Sequence, residues 1–207
     1  MNYVFDFDGT LVDTNKIKKS ALRDSLISHE IEEKITSSLD DYLNSFFNRS
    51  GLSRLYKLSH DFGQILASEE ILSISDSYTR RLKLELQSIR IDRHVSEALL
   101  KFTSLGNCYI LSGGELHEIF LILNNSHLTS VFKGAICVND SKVPYLKVIN
   151  SLDNTVFFGD SIIDYEASMA SSVPFFRVKE YSNLLDCHDI NCAEINTISD
   201  YFCIDAA

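Results

Sequence analysis

Tyr3-Val4-Phe5-Asp6-Phe7-Asp8-Gly9-Thr10-Leu11-Val12-Asp13 opens the chain with a short apolar run that leads into two aspartates one residue apart. The apolar part has the character of a parallel strand covered on both faces. A carboxylate within such a run is unfavourable unless it is paired or coordinated. Asp6 falls where the strand should end, shortly before a glycine that permits a sharp turn. Ligands of open α/β sheets collect at the carboxyl ends of the strands. Residues i and i+2 of an extended segment point to the same side, so Asp6 and Asp8 can face one small site. A plain strand followed by an Asp-Gly turn would account for Asp8 and Gly9 and leave Asp6 unexplained.

Outward from this stretch the chain changes character. From about Thr14 to Arg90 glycine is sparse, proline is absent and apolar residues recur at helical spacing. Ile17, Ala21, Leu22 and Leu26 mark a first helix. Ile35, Leu39, Tyr42, Leu43, Phe46 and Phe47 mark a second, and Leu52, Leu55, Leu58, Phe62, Ile65 and Leu66 a third with an interruption at Gly63. Ser68-Glu69-Glu70 predicts the N-cap and acidic first turn of a fourth, carrying Ile71, Ile74, Tyr78, Leu82 and Leu86. Beyond Arg90 strand and helix patterns alternate. Strands are expected at Cys108–Leu111, Gly134–Val138, Thr155–Phe158 and Val173–Phe176, with helices between them. The expected fold is α/β, a Rossmann-like parallel sheet flanked by helices. Residues 1–13 and 91–207 form the α/β core domain, and 14–90 form a small all-helical insertion. Placed directly after the Asp6 strand, that insertion is expected above the carboxyl ends of the strands.

At 207 residues the chain can bury a real core, and 45% hydrophobic with 23% charged residues is an ordinary globular composition. The formal net charge of -10 argues against nucleic acid or an anionic membrane as main partner. A small anionic substrate stays compatible, because a bound cation can reverse the field locally. There is no membrane-spanning run, and the N-terminal apolar run is broken by Asp6 too early for a signal peptide. Five scattered cysteines fit a reduced, cytoplasmic setting. Cys187-His188 with Cys192 matches no zinc spacing and is expected to be a surface turn.

Three later strand ends carry polar residues that a sheet does not need. Ile110-Leu111-Ser112-Gly113-Gly114 precedes a helix: Ser112 can serve as a helix cap, or it can bind a phosphate together with free backbone N–H groups. Ser141-Lys142-Val143-Pro144 offers a lysine that would otherwise be a solvated surface residue. In Val156-Phe157-Phe158-Gly159-Asp160-Ser161-Ile162-Ile163-Asp164 an apolar strand again runs into an acid. Asp164 falls in the next helical turn, where it can be merely an N-terminal helix acid. Taken together, Asp6, Asp8 and Asp160 supply hard oxygen ligands suited to Mg²⁺, while Lys142 and Ser112 answer the remaining charge of a phosphoryl group.

The opening stretch, of form DxDGT, resembles the first motif of the haloacid dehalogenase superfamily. Ser112-Gly113, Lys142 and Gly159-Asp160…Asp164 resemble the other three motifs in the right order. Ala167, Ala170 and Val173-Pro174-Phe175 add a similarity to phosphoglycolate-phosphatase-like members with a helical C1-type cap. The resemblance covers the chain from Met1 to about Val178 and is weak in the cap. Gly114 stands where a threonine often follows, and Lys142 lacks the usual next proline, which keeps Lys147 as an alternative. The resemblance implies a Mg²⁺-dependent phosphatase of a small phosphorylated metabolite working through an aspartyl-phosphate. Asp6 would be the nucleophile, Asp8 the general acid and base and Lys142 the charge-offsetting lysine. Ser112, Gly113 and Lys142 would bind phosphate. Asp6, the Asp8 backbone carbonyl and Asp160 would ligate the metal, with Asp164 orienting its neighbours. Substrate choice would lie in the cap, where Arg49, Gly51 and Arg54 sit in a basic, glycine-hinged segment. That segment could read an anionic or polyol leaving group, or be an interhelical turn with solvated arginines. A phosphomutase of the same superfamily and a catalytically silent metabolite-binding module are the alternatives. No oligomeric state is implied.

Overall fold

A computed structural model describes residues 1–48, 53–138, 140–182 and 192–204. The chain forms two compact units, Met1–Thr14 with Ile89–Ala207 and Asn15–Ser88. No helix among the described residues is long and apolar enough to cross a membrane.

The first unit is a six-stranded parallel sheet of order β3-β2-β1-β4-β5-β6. Its strands are β1 (Asn2–Phe5), β2 (Asn107–Ser112), β3 (Phe132–Cys137), β4 (Thr155–Gly159), β5 (Phe175–Val178) and β6 (Ala193–Ile195). The helices of this unit follow in chain order as α5 (Arg93–Leu105), α6 (Leu116–Asn125), α7 (Val143–Leu152), α8 (Ile162–Ser171) and α9 (Tyr201–Ile204). Phe5 lies opposite Ile110 on one side and Phe158 on the other, so β1 is central. The chain builds outward from β1 to β2 and β3, then returns to lay β4 on the opposite flank. That reversal makes the β1/β4 boundary a topological switch point, where α/β sheets open a crevice for ligands.

Side-chain alternation divides the core. Val4, Leu111, Phe157 and Phe175 pack with Leu146 and Ile149 of α7 and Ala167 of α8. On the other face Phe5 stacks on Phe158 with ring centroids 5.0 Å apart, and Phe102 of α5 meets Phe5 at 5.2 Å. Tyr201 of α9 closes this cluster 5.1 Å from Phe176. Aromatic pairs of this kind add roughly 0.5–1.5 kcal/mol each beyond their burial.

The sheet unit departs from the sequence pattern in three places. β5 begins two residues later than the Val173–Phe176 pattern predicts. The Val173 N–H closes the end of α8 on Ser168 O at 3.0 Å, and Pro174 has no N–H for a ladder. β3 begins at Phe132 rather than Gly134 and ends at Cys137, with a register shift beside Cys108 and Tyr109. β6 was not anticipated. It is held to β5 partly by the buried Arg177, which donates to Glu194 Oε1 at 2.9 Å.

The second unit contains α1 (Asn15–Ser28), α2 (Leu39–Asn48), α3 (Arg54–Phe62) and α4 (Ser68–Leu86). Leu22 and Leu26 of α1, Leu43 and Phe46 of α2, Leu58 of α3, and Ile74 and Tyr78 of α4 are among its buried residues. Ile35 lies outside α2, at the end of a short 3₁₀ turn, Glu32–Lys34. Gly63 ends α3 through its N–H on Ser59 O at 2.8 Å. Ser68 is the first residue of α4 and not its cap. Ala67 occupies the cap position, and its N–H is taken by the Glu70 carboxylate at 2.8 Å.

Candidate active site

Asp6 continues the β1 direction one step past the strand, its N–H donating to Phe158 O at 2.8 Å. The alternation places it on the Val4 side, the face covered by α7 and α8. Both helices begin at this edge. Lys142 immediately precedes α7, and Asp164 is the third residue of α8. Lys142 Nζ donates to Asp6 Oδ1 at 2.6 Å and to Asp164 Oδ1 at 2.6 Å. Asp160 follows β4, on the other flank of the switch point. Carboxylate oxygens of Asp6, Asp160 and Asp164 lie within 4.8 Å of one another, and all three residues are buried.

Three carboxylates facing one ammonium make an electrostatic problem. Burial pushes the Asp6 carboxyl up to about 7, an effect that Lys142 partly opposes and Asp164 adds to. Asp160 is held well above the usual carboxylate range by burial first, then by Asp6 and Asp164. Burial alone would lower the Lys142 ammonium, but Asp164 and Asp6 outweigh it and hold it above its ordinary value. Lys142 therefore stays cationic, and the excess negative charge is relieved either by protons or by a cation. Converging hard oxygens with this excess charge are the donor set that Mg²⁺ takes, so the residues fit that ion.

Glycines let the carboxylates approach. At Gly9, where φ is +86°, an added Cβ would lie 2.4 Å from Asp160 Oδ2. At Gly159 it would lie 2.6 Å from Asp164 Cβ, and at Gly114 it would lie 2.7 Å from Asp8 Oδ2. The turn that returns the chain after Asp8 is closed by Gly9 N–H on Val12 O at 3.0 Å.

Asp8 is half-buried and is not one of the buried trio, though its charge adds to the upward push on Asp6. Its Oδ1 accepts a hydrogen bond from the hydroxyl of Thr14, a fully buried residue. Ser112 ends β2, fully buried, and its Oγ accepts from Gly114 N–H at 3.1 Å. It is not the cap of α6, which starts at Leu116 with Glu115 in the cap position. Gly113 is exposed beside it. Lys147 is exposed on α7, so Lys142 is the lysine that reaches Asp6. In the helical unit Arg54 lies 3.9 Å over the Tyr78 ring and donates to Thr79 Oγ1 at 3.2 Å. Arg49, Gly51, Cys187 and His188 lie outside the described residues.

Two partners in this site were missed by sequence reasoning. Ser161 caps α8: its Oγ donates to Asp164 Oδ2 at 2.5 Å and accepts from Asp164 N–H at 3.2 Å. The Ser-x-x-acid spacing of Ser161 and Asp164 was the available signal. Thr14 had none, because its bond to Asp8 depends on the turn between them.

The comparisons agree with this architecture. A predicted phosphoglycolate phosphatase from Haemophilus somnus 129PT superposes with a TM-score of 0.78 at 15% identity, over 98% of this chain and 96% of that one. CbbY from Rhodobacter sphaeroides, in complex with phosphate, gives a TM-score of 0.73 at 13% identity, over 96% and 95% of the two chains. YfnB from Bacillus subtilis, assigned as a HAD-hydrolase and bound to magnesium, gives 0.70 at 16% identity, over 100% and 98%. At these identities the likeness is one of fold. No curated protein matches the sequence significantly. The model of the haloacid dehalogenase-like hydrolases matches residues 3–178, a span that runs from β1 to the end of β5 and takes in Asp6, Asp8, Ser112, Lys142, Asp160 and Asp164. The chain belongs to the haloacid dehalogenase-like hydrolase family.

Proposed function

We propose that this chain is a Mg²⁺-dependent phosphatase that hydrolyses a small phosphorylated metabolite through an aspartyl-phosphate on Asp6. The observation that carries the reading is the buried convergence of Asp6, Asp160 and Asp164 with Lys142 bound to Asp6. Asp6 and Asp160 would hold the ion, with the Asp8 backbone carbonyl as a further ligand. When bound, Mg²⁺ offsets the charge of a phosphoryl group brought against a carboxylate.

The chain's own residues do the rest. Lys142, kept cationic by two carboxylates, supplies positive charge beside the attacking group. Asp6 attacks phosphorus in line: an Asp6 O–P bond forms and the P–O bond to the leaving group breaks. Asp8 gives its proton to the departing alkoxide, then takes one from the water that attacks phosphorus and releases inorganic phosphate and free Asp6. Its half-exposed position suits a group that must meet both leaving group and water. Ser112, the Gly113 N–H and Lys142 bind the phosphoryl oxygens. Asp164, fixed by Ser161, keeps Lys142 aimed at Asp6. These residues address the phosphoryl group alone, so we assign substrate choice to the helical unit.

A phosphate-release screen over phosphorylated metabolites tests the reading. Release should require Mg²⁺, stop with EDTA and disappear in Asp6→Asn while the fold is retained. Unchanged hydrolysis in Asp6→Asn, or an isomeric sugar phosphate formed without phosphate release, would overturn it.

A further inference from the structure

We infer that Gly114 is a positioning residue for Asp8: its bare Cα sets where the acid's carboxylate rests. The role of Asp8 as acid rests on the phosphatase reading above; its placement by Gly114 does not.

A glycine is commonly required by backbone conformation, but here that is not the reason. Among the described glycines only Gly9 has a positive φ. Nor is Gly114 part of the α6 cap, which falls at Glu115. What distinguishes Gly114 is space. A Cβ there would lie 2.7 Å from Asp8 Oδ2 and 3.4 Å from Ser112 Oγ. The first distance is well inside van der Waals contact, so the position is closed to a side chain while Asp8 keeps its place. Its neighbour Gly113 provides the contrast, since the nearest atom to an added Cβ would be Val138 O at 3.8 Å. The two adjacent glycines therefore have different causes.

The other oxygen of Asp8 is fixed from the opposite direction by the buried Thr14 hydroxyl. The carboxylate is thus held between a donor on Oδ1 and a missing side chain at Oδ2. A methyl group at 114 would press on Oδ2 while Thr14 holds Oδ1. Ser112, which flanks the same vacancy, is tied to Gly114 by its own N–H bond, so the loop is also constrained. Acid catalysis depends on the proton donor being within hydrogen-bond reach of the leaving oxygen, and a displaced donor loses much of its effect.

The test compares Gly114→Ala, Gly113→Ala and Asp8→Asn on two esters, 4-nitrophenyl phosphate and phenyl phosphate. Phenolate is the more basic leaving group and needs the proton more. Gly114→Ala should lower kcat/KM on phenyl phosphate about tenfold more than on 4-nitrophenyl phosphate, within the 10²–10⁴-fold range of acid–base catalysis. Asp8→Asn should show the same preference, and Gly113→Ala should keep the wild-type ratio whatever its effect on overall rate. A crystal structure of Gly114→Ala should show the Asp8 carboxylate moved and its Thr14 bond broken. Equal losses on both esters would overturn the inference. So would a structure in which Asp8 stays on Thr14 and the loop alone gives way. If the wild type releases phosphate from neither ester with Mg²⁺, the phosphatase reading fails, and the position of Asp8 in the variant still decides the role of Gly114.

Discussion

Ser161 Oγ lies 2.5 Å from Asp164 Oδ2, and that bond leaves the other oxygen of Asp164 turned to Lys142. One acid thus caps its own helix and holds a buried lysine against Asp6. Ser161→Ala removes a hydrogen bond to a buried carboxylate together with an N-cap, so the expected loss is about 1–2 kcal/mol. Ser161→Thr keeps the hydroxyl and should recover most of it. Urea denaturation, read as a shift in midpoint at constant slope, checks this. Equal stability of the alanine and threonine variants would show that the hydroxyl contributes nothing.

The raised Asp6 carboxyl makes a statement about pH. In the metal-free protein burial pushes it up to about 7 from an ordinary 3.8. Between those values the folded state binds a proton that the unfolded state has released, so stability falls as pH rises through the window and the contribution is gone above about 7. A cation competes for the same oxygens, so Mg²⁺ should raise the Tm more at about pH 8 than at about pH 6. Calorimetry with EDTA and then with Mg²⁺, on wild type and Asp6→Asn, measures both effects. The Asp6→Asn protein should lose the part of this pH dependence that Asp6 supplies, leaving that of Asp160. A wild-type-minus-variant difference that stays flat with pH would remove Asp6 as its source.

The fold was legible where an apolar run was long enough to be a strand and was broken by a residue that a strand would not choose. Asp6 and Asp160 stand out in that way, and the order β2-β1-β4 explains why two strand ends so far apart in sequence meet. Lys142 is different. Nothing local separates a buried lysine from the solvated kind, and its two carboxylate partners appear only when α7 and α8 start at the same sheet edge. The edge strand β6 was illegible because Ala193-Glu194-Ile195 is too short to show a period. The boundary of β5 was misread because Val173 is apolar, whereas its N–H is already used to end α8.

Arg54 was singled out as a basic residue near a glycine, yet its guanidinium lies on Tyr78, which is buried, and bonds Thr79. A cation over a largely desolvated ring contributes roughly 0.5–2 kcal/mol, and the hydrogen bond about 1 more. Arg54→Ala should therefore destabilise the helical unit by about 1–2 kcal/mol. Arg54→Lys should recover little, because an ammonium cannot lie flat on a ring and bond sideways at once. Hydrogen exchange of the α3 and α4 amides reports this directly. Should exchange stay unchanged while the ranking of phosphate esters shifts, the arginine would be reading the leaving group and not bracing the helices.

Gly9 offers the sharpest contrast. It is held at φ +86°, and a Cβ there would lie 2.4 Å from Asp160 Oδ2. Gly9→Ala therefore carries two penalties. A left-handed backbone costs an L-residue about 1–2 kcal/mol, and the methyl group displaces the Asp160 carboxylate from its present place. The expected result is a loss of more than about 1 kcal/mol by urea denaturation, together with loss of the Mg²⁺-induced rise in Tm. Gly113→Ala, with its nearest neighbour at 3.8 Å, should lie within about 0.5 kcal/mol of wild type by the same measurement. If Gly9→Ala kept the full Mg²⁺ response, Asp160 would not be needed where it stands, and the donor set would have to be redrawn around Asp6 and Asp164.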